Sequence, residues 1–223
     1  MISMQNNLEG LKSLVPDAAT GQCLLFMAAR DGVGTSTVAR EYAQMMAPRL
    51  EKGVLLVDLD FFLNGQFEAL STYGYDEPKD EHLSVAPDDQ TFWRLIGEEG
   101  SFLDNPQALM SCHKVRGQNL YVSCFHHEAI EKGQRVQVVH APDYWAEMRK
   151  QVGLVIVDAP ALERSRAGLA LVRAFDGAVI VVDDEGKHDP MVATLRDDIR
   201  AREGDCKGVV VNRFETEPFR QAG

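Results

Sequence analysis

Two apolar runs, Val54-Leu55-Leu56-Val57 and Leu154-Val155-Ile156-Val157, place hydrophobic side chains on consecutive positions, and each ends in an aspartate. Successive side chains of a strand point to opposite faces, so a strand that is apolar at every position needs cover on both sides. Helices packed on the two faces of a parallel sheet supply that cover. Strands are predicted at residues 54–58 and 154–158, with further apolar runs at 23–29, 120–124, 178–182 and 208–211. Longer amphipathic stretches at 35–48, 142–151, 165–174 and 189–202 read as the helices between them. The expected fold class is therefore α/β, a doubly wound, mostly parallel sheet whose ligands collect beyond the strand carboxyl ends.

The first strand runs into Arg30-Asp31-Gly32-Val33-Gly34-Thr35-Ser36-Thr37. A strand end, a glycine-bearing turn and a helix start aim backbone N–H groups at one point, where the helix dipole adds partial positive charge. That is the layout of a phosphate-binding P-loop, with Gly32, Val33, Gly34, Thr35, Ser36 and Thr37 as the expected nucleotide-binding residues. The usual pattern, G-x-x-x-x-G-K-[ST], adds a lysine for the terminal phosphates and a hydroxyl for Mg²⁺. Ser36 keeps the hydroxyl, but Thr35 stands at the lysine position and is neutral. Losing one charged hydrogen bond costs about 1.5 to 3 kcal/mol, roughly 10- to 150-fold in affinity. Binding at millimolar nucleotide survives such a loss, whereas phosphoryl transfer, which needs charge neutralised in its transition state, suffers more. Asp31 places a carboxylate beside the phosphates, unfavourable unless Mg²⁺ or Arg30 offsets it.

Three further strand ends face the same edge. Asp58 and Asp60 follow one strand and Asp158 follows another, where carboxylates hold Mg²⁺ or its water shell, or orient an attacking water. Capping of the next turn explains a single strand-end aspartate equally well. The last strand leads to Asn212, whose amide suits a purine edge.

A chain of 223 residues with a net charge of −11 is read as one domain, 1–223, carrying an insertion at 71–117 with one or two short helices. The acidic balance disfavours a nucleic-acid partner. No run spans a bilayer and no export leader is seen, so a cytoplasmic location is expected. Four dispersed cysteines, Cys23, Cys112, Cys124 and Cys206, read as free thiols. Cys112-His113 and Cys124-Phe125-His126-His127 have the residue types of a zinc site without a spacing that specifies one. Leu8, Leu11 and Leu14 suggest a short lead-in helix over the sheet.

These motifs resemble the MinD/ParA branch of the deviant Walker-A P-loop ATPases, which includes the cytoplasmic domains of bacterial tyrosine kinases. Residues 30–37 correspond to K-G-G-x-G-K-[ST]-T, Asp58 and Asp60 to a D-x-D strand end, Asp158-Ala159-Pro160-Ala161 to D-x-P-P, and Gly208 to Asn212 to a G-V-V-L-N ending. The resemblance implies an ATP or ADP ligand with Mg²⁺ held by Ser36, Asp58 and Asp158, and Asp60 and Arg30 as catalytic residues of an active form. It also implies that Arg30 takes the place of a lysine reaching across a dimer, and hence self-association. On the kinase side it implies an inner-membrane polysaccharide export or copolymerase partner, with recruitment to that membrane. With the lysine missing, the resemblance implies a degenerate ATPase or kinase-like regulator or scaffold of exopolysaccharide synthesis and export, with weak or absent catalysis expected. No tyrosine follows Tyr144, so a C-terminal tyrosine cluster is not expected. The alternative within the same branch is an active MgATPase of pilus localisation or partitioning.

Overall fold

The computed structural model describes residues 10–11, 21–77, 90–98, 100–103 and 109–212. Its main sheet contains β1 (Gln22–Met27), β2 (Val54–Asp58), β5 (Met110–Lys114), β6 (Leu120–Phe125), β8 (Leu154–Asp158), β9 (Gly177–Val182) and β10 (Cys206–Val211). Their order across the sheet is β10-β9-β1-β8-β2-β6-β5. Every neighbouring pair is parallel except β5 with β6. The helices are α1 (Thr35–Met46), α2 (Gly65–Leu70), α3 (Pro142–Gln151), α4 (Ala167–Leu171) and α5 (Pro190–Ala201).

The unbroken apolar runs divide between two cores. Leu55, Val57, Val155 and Val157 enter one, against Tyr144, Trp145 and Met148 of α3, Leu169 of α4 and Leu195 and Ile199 of α5. Val54, Leu56, Leu154 and Ile156 enter the other, beneath Val38, Ala39 and Tyr42 of α1. Each strand alternation therefore feeds both faces, as a doubly wound sheet requires. At about 25 cal/mol per Å² of apolar area, burial of this kind drives folding.

The helix expected over 35–48 ends at Met46 because Ala47–Arg49 tightens into a 3₁₀ turn around Pro48, and the one expected over 165–174 gives way to a 3₁₀ turn at Val172–Ala174. The described part of 71–117 departs further from expectation. It holds a 3₁₀ turn at Ser71–Tyr73 and three strands not expected from the sequence, β3 (Trp93–Ile96), β4 (Phe102–Leu103) and β5. β3 pairs with β4 and with β7 (Arg135–Val138) in a separate antiparallel sheet, while β5 extends the main sheet. Their mixed polar sequences carry no continuous apolar run, because one face is shared with solvent. Residues 78–89, 99 and 104–108 of that segment lie outside the described residues, as does most of the expected lead-in helix. Leu11 is described: it is buried, and its carbonyl accepts a 2.9 Å hydrogen bond from the Tyr42 hydroxyl.

Candidate nucleotide site

β1 stops at Met27 and the chain turns through residues 28–34 into α1. Gly34, the N-cap, has φ 87°, in the left-handed region where a side chain is strained. It is also the point of closest approach: a Cβ there would lie 2.2 Å from Nδ2 of Asn212. Gly32 has φ 77° and a Cβ there would meet nothing within 4 Å, so the loop is closed beneath Gly34 and open above Gly32. No side chain caps α1. The N–H groups of its first turn, on Thr35, Ser36 and Thr37, have no intrahelical acceptor and are available to an anion.

Asn212 is buried and donates from Nδ2 to the carbonyl of Val33 at 2.9 Å. Its amide therefore holds the underside of the loop through one N–H.

The strand-end carboxylates come together. Asp58 and Asp158 are register partners on the adjacent strands β2 and β8, 5% and 3% exposed. Both oxygens of Asp58 organise the turn that follows: Oδ1 accepts from the Asp60 N–H at 2.8 Å and Oδ2 from the Gln66 N–H at 3.0 Å. Asp158 Oδ2 accepts from Gln66 Nε2 at 2.7 Å, and Asp158 Oδ1 is buried with no hydrogen-bond partner among the described residues. Burial raises both carboxyls above the usual carboxylate range. At Asp158 the Asp58 charge adds to the rise and neighbouring Ser36 and Gln66 oppose it; at Asp58 the Gln66 and Asp60 N–H groups oppose it.

An unpartnered buried carboxylate oxygen, a second acidic side chain and the Ser36 hydroxyl fit a hard, oxygen-seeking cation. Mg²⁺ ordinarily takes only one or two carboxylates and completes its shell with water and phosphate. Among the described residues no group of three or more His, Cys, Asp or Glu could hold a metal by itself, so the fit is to a nucleotide-borne cation. When bound, that cation would neutralise phosphate charge. Ser36 and Asp158 would hold it, with Asp58 behind them.

Gln66 had no signal in the sequence. Fully buried at the start of α2, it donates from Nε2 to Asp158 and to the Ser36 carbonyl at 2.9 Å, and accepts at Oε1 from Arg40 at 3.1 Å. It joins the P-loop helix to both carboxylates. Arg164 was missed as well. Its guanidinium lies 2.7 Å from Asp60 Oδ2 and 3.7 Å from Asp31 Oδ1. Asp31, expected to need Mg²⁺ or Arg30 as a counter-charge, thus faces Arg164, and its N–H donates to Glu163 Oε1 at 2.6 Å. Arg30 pairs in its own chain with Asp189, the N-cap of α5.

Two clefts adjoin the loop. One, about 260 Å³, is lined by Gly32, Gly34, Thr35, Ser36, Asp58, Asp60, Asp158 and Arg164 among others. The second, about 410 Å³, opens past Val33 and Arg30 between the end of β9 and the start of α5, with Asp183, Glu185, His188 and Asp189 as its polar lining. Away from both, the cysteine and histidine pairs do not assemble. Ser111 Oγ lies 2.8 Å from Nε2 of both His113 and His126, while Cys112 packs against the apolar core. All four cysteines are free.

No protein-family model matches the chain, and no curated protein matches it in sequence. Solved structures do. The chimeric protein CapA2B2 superposes with a TM-score of 0.60 at 19% identity, over 94% of this chain and 84% of that one. The kinase domain of the Escherichia coli tyrosine kinase ETK gives 0.57 at 16% identity, over 98% and 79%. The cell division protein MinD of Aquifex aeolicus gives 0.55 at 18% identity, over 87% and 70%. The neighbours are bacterial tyrosine kinase domains and MinD/ParA ATPases, and the chain has their P-loop fold. Among the described residues no helix is long and apolar enough to cross a membrane.

Proposed function

We propose, from a chain with the MinD/ParA-type P-loop fold, that this protein is a degenerate member of the kinase-like side of that branch. It binds ATP or ADP weakly, catalyses little or nothing, and regulates or scaffolds exopolysaccharide synthesis and export. The observation that carries this reading is the site's charge. A formed phosphate loop has neutral Thr35 at its cation position, and Arg30 and Arg164, which line the cleft, are each paired with an aspartate. Such a site retains backbone donors for a phosphate and has little free positive charge for a transition state.

The protein would act from the cytoplasmic face of the inner membrane, recruited by an export or copolymerase protein and by self-association, with nucleic acid disfavoured by the net charge of −11. Calorimetric titration with ADP and with a non-hydrolysable ATP analogue, each with Mg²⁺, tests the site in the native protein and in Thr35→Lys. Weak native binding, strengthened in Thr35→Lys, with native turnover at the buffer blank, is the expected result. Failure of both proteins to bind would end the nucleotide reading.

The intact Ser36, Asp58 and Asp158 set, with Asp158 Oδ1 unpartnered, favours a second reading, an active MgATPase of pilus localisation or partitioning. Mg²⁺-dependent turnover that disappears in Asp60→Ala would support an active MgATPase and refute the degenerate reading.

A further inference from the structure

We propose that Arg164 supplies, from the loop after β8, the phosphate-facing charge that Thr35 lacks, and that it reaches the phosphate by exchange away from Asp60. The inference rests on the nucleotide reading above.

The described residues lining the 260 Å³ cleft include two cations, Arg30 and Arg164. Arg30 is drawn toward the neighbouring cleft by Asp189, whose carboxylate also caps α5 by accepting from the Met191 N–H at 2.9 Å. Arg164 pairs with carboxylates that line the 260 Å³ cleft. Both of its carboxylate partners, Asp60 and Asp31, line the same cleft as Thr35 and Ser36, so its guanidinium already sits among anions at the phosphate end.

The mount of Arg164 is tied to the phosphate loop. Leu162 N–H donates to Ala28 O at 2.8 Å and Glu163 N–H to Ala29 O at 3.3 Å, while Glu163 Oε1 accepts from Asp31 N–H at 2.6 Å. The Arg164 N–H closes the turn on Ala161 O at 2.9 Å. Three hydrogen bonds thus join the Arg164 segment to residues 28–31 and fix the backbone from which the side chain extends. A guanidinium presents a planar fork that matches two phosphate oxygens, and its side chain, 42% exposed, has room to turn.

Exchange makes the arrangement workable. In the ligand-free site Arg164 offsets Asp60 and Asp31, which would otherwise repel polyphosphate. On binding, Arg164 would take a phosphate oxygen in place of Asp60, leaving Asp60 to the cation's water shell, while Asp31, 3.7 Å away, stays near the guanidinium. The positive charge has moved from the P-loop itself to the adjoining loop.

Calorimetric titration with MgADP of the native protein, Arg164→Ala, Arg164→Lys, Thr35→Lys and Arg164→Ala/Thr35→Lys tests this. Loss of the charged hydrogen bond should weaken Arg164→Ala by roughly 10- to 150-fold. Arg164→Lys should retain part of the affinity, and the added lysine should rescue the double variant. The melting temperature of Arg164→Ala should stay close to native, which separates lost binding from lost folding. Equal affinity of Arg164→Ala and native protein would overturn the role of Arg164 and leave the nucleotide reading standing. Binding only by proteins that carry Thr35→Lys would likewise overturn it, since Arg164 would then supply no useful charge. No binding by any of the five would refute the nucleotide reading itself, and the inference with it.

Discussion

Asn212 is the residue at which a structural role and a ligand role separate most cleanly. Replacing it with alanine removes the 2.9 Å bond to the Val33 carbonyl, a contact between residues 179 apart in sequence that joins the end of β10 to the phosphate loop. Val33 is buried, so its carbonyl loses its partner with little access to water. Leaving a buried acceptor unsatisfied costs about 1 to 3 kcal/mol. Asn212→Ala should therefore destabilise the ligand-free protein by about that amount in urea unfolding, with an unchanged m-value. Gly34→Ala suffers two penalties, a left-handed φ of 87° and a Cβ 2.2 Å from Asn212 Nδ2. The first, about 1 to 2 kcal/mol, persists whatever stands at 212. The second vanishes when the amide is gone, so the double variant should be less destabilised than the sum of the single ones, with a coupling of about 1 kcal/mol or more. Unfolding curves of the four proteins without nucleotide give this cycle. Strict additivity, or a native-like Asn212→Ala that loses only nucleotide affinity, would refute the clamp and return Asn212 to base recognition.

Asp158 offers a pH test. Its carboxyl is raised in the folded protein, so as pH climbs from about 4 the unfolded chain sheds this proton first. Stability from this group is fully present below the unfolded value and is lost as pH rises through the raised folded one. Asp158→Asn should therefore be the more stable protein at pH 8, on the order of 2 to 4 kcal/mol, with the gain shrinking toward pH 4; a loss at pH 8 in thermal unfolding would contradict the burial argument. Gln66→Ala strips a donor from Asp158 and Ser36 and an acceptor from Arg40, and should cost about 3 kcal/mol in urea unfolding. A cost below about 0.5 kcal/mol, the range of ordinary surface changes, would show that water replaces it readily.

The apolar runs at residues 54–58 and 154–158 determined the layered α/β class by themselves, because consecutive hydrophobic positions leave a strand no face for water. The same local chemistry marked the loop at residues 30–37, since glycine spacing and a following helix start are properties of neighbouring residues. It also marked Asp58, Asp60 and Asp158 as residues of one sheet edge, because a parallel sheet aligns its carboxyl ends. The strands β3, β4, β5 and β7 were not legible. Their side chains are only partly apolar, and what makes them strands is pairing with distant partners such as Trp93 with Val138 and Cys112 with Ser123.

The occupants of the site divide in the same way. That Thr35 removes a charge can be read from one position, but where compensating charge lies cannot, because Arg164 meets Asp60 across 104 residues and Gln66 meets Asp158 across 92. Arg30, by resemblance the counterpart of a lysine that reaches across a dimer, has Asp189 beside it in the folded chain, a partner 159 residues away that its own sequence position does not reveal. Asn212 could be marked in the sequence as an amide suited to a base, but its bond to the Val33 carbonyl needed β10 to lie beside β9. Hydrophobic patterning acts through nearest neighbours and is written along the sequence. Hydrogen bonds and ion pairs are satisfied by whichever groups the folded chain brings within about 3 Å, so only the tertiary structure decides which carboxylate is paired and which is left open.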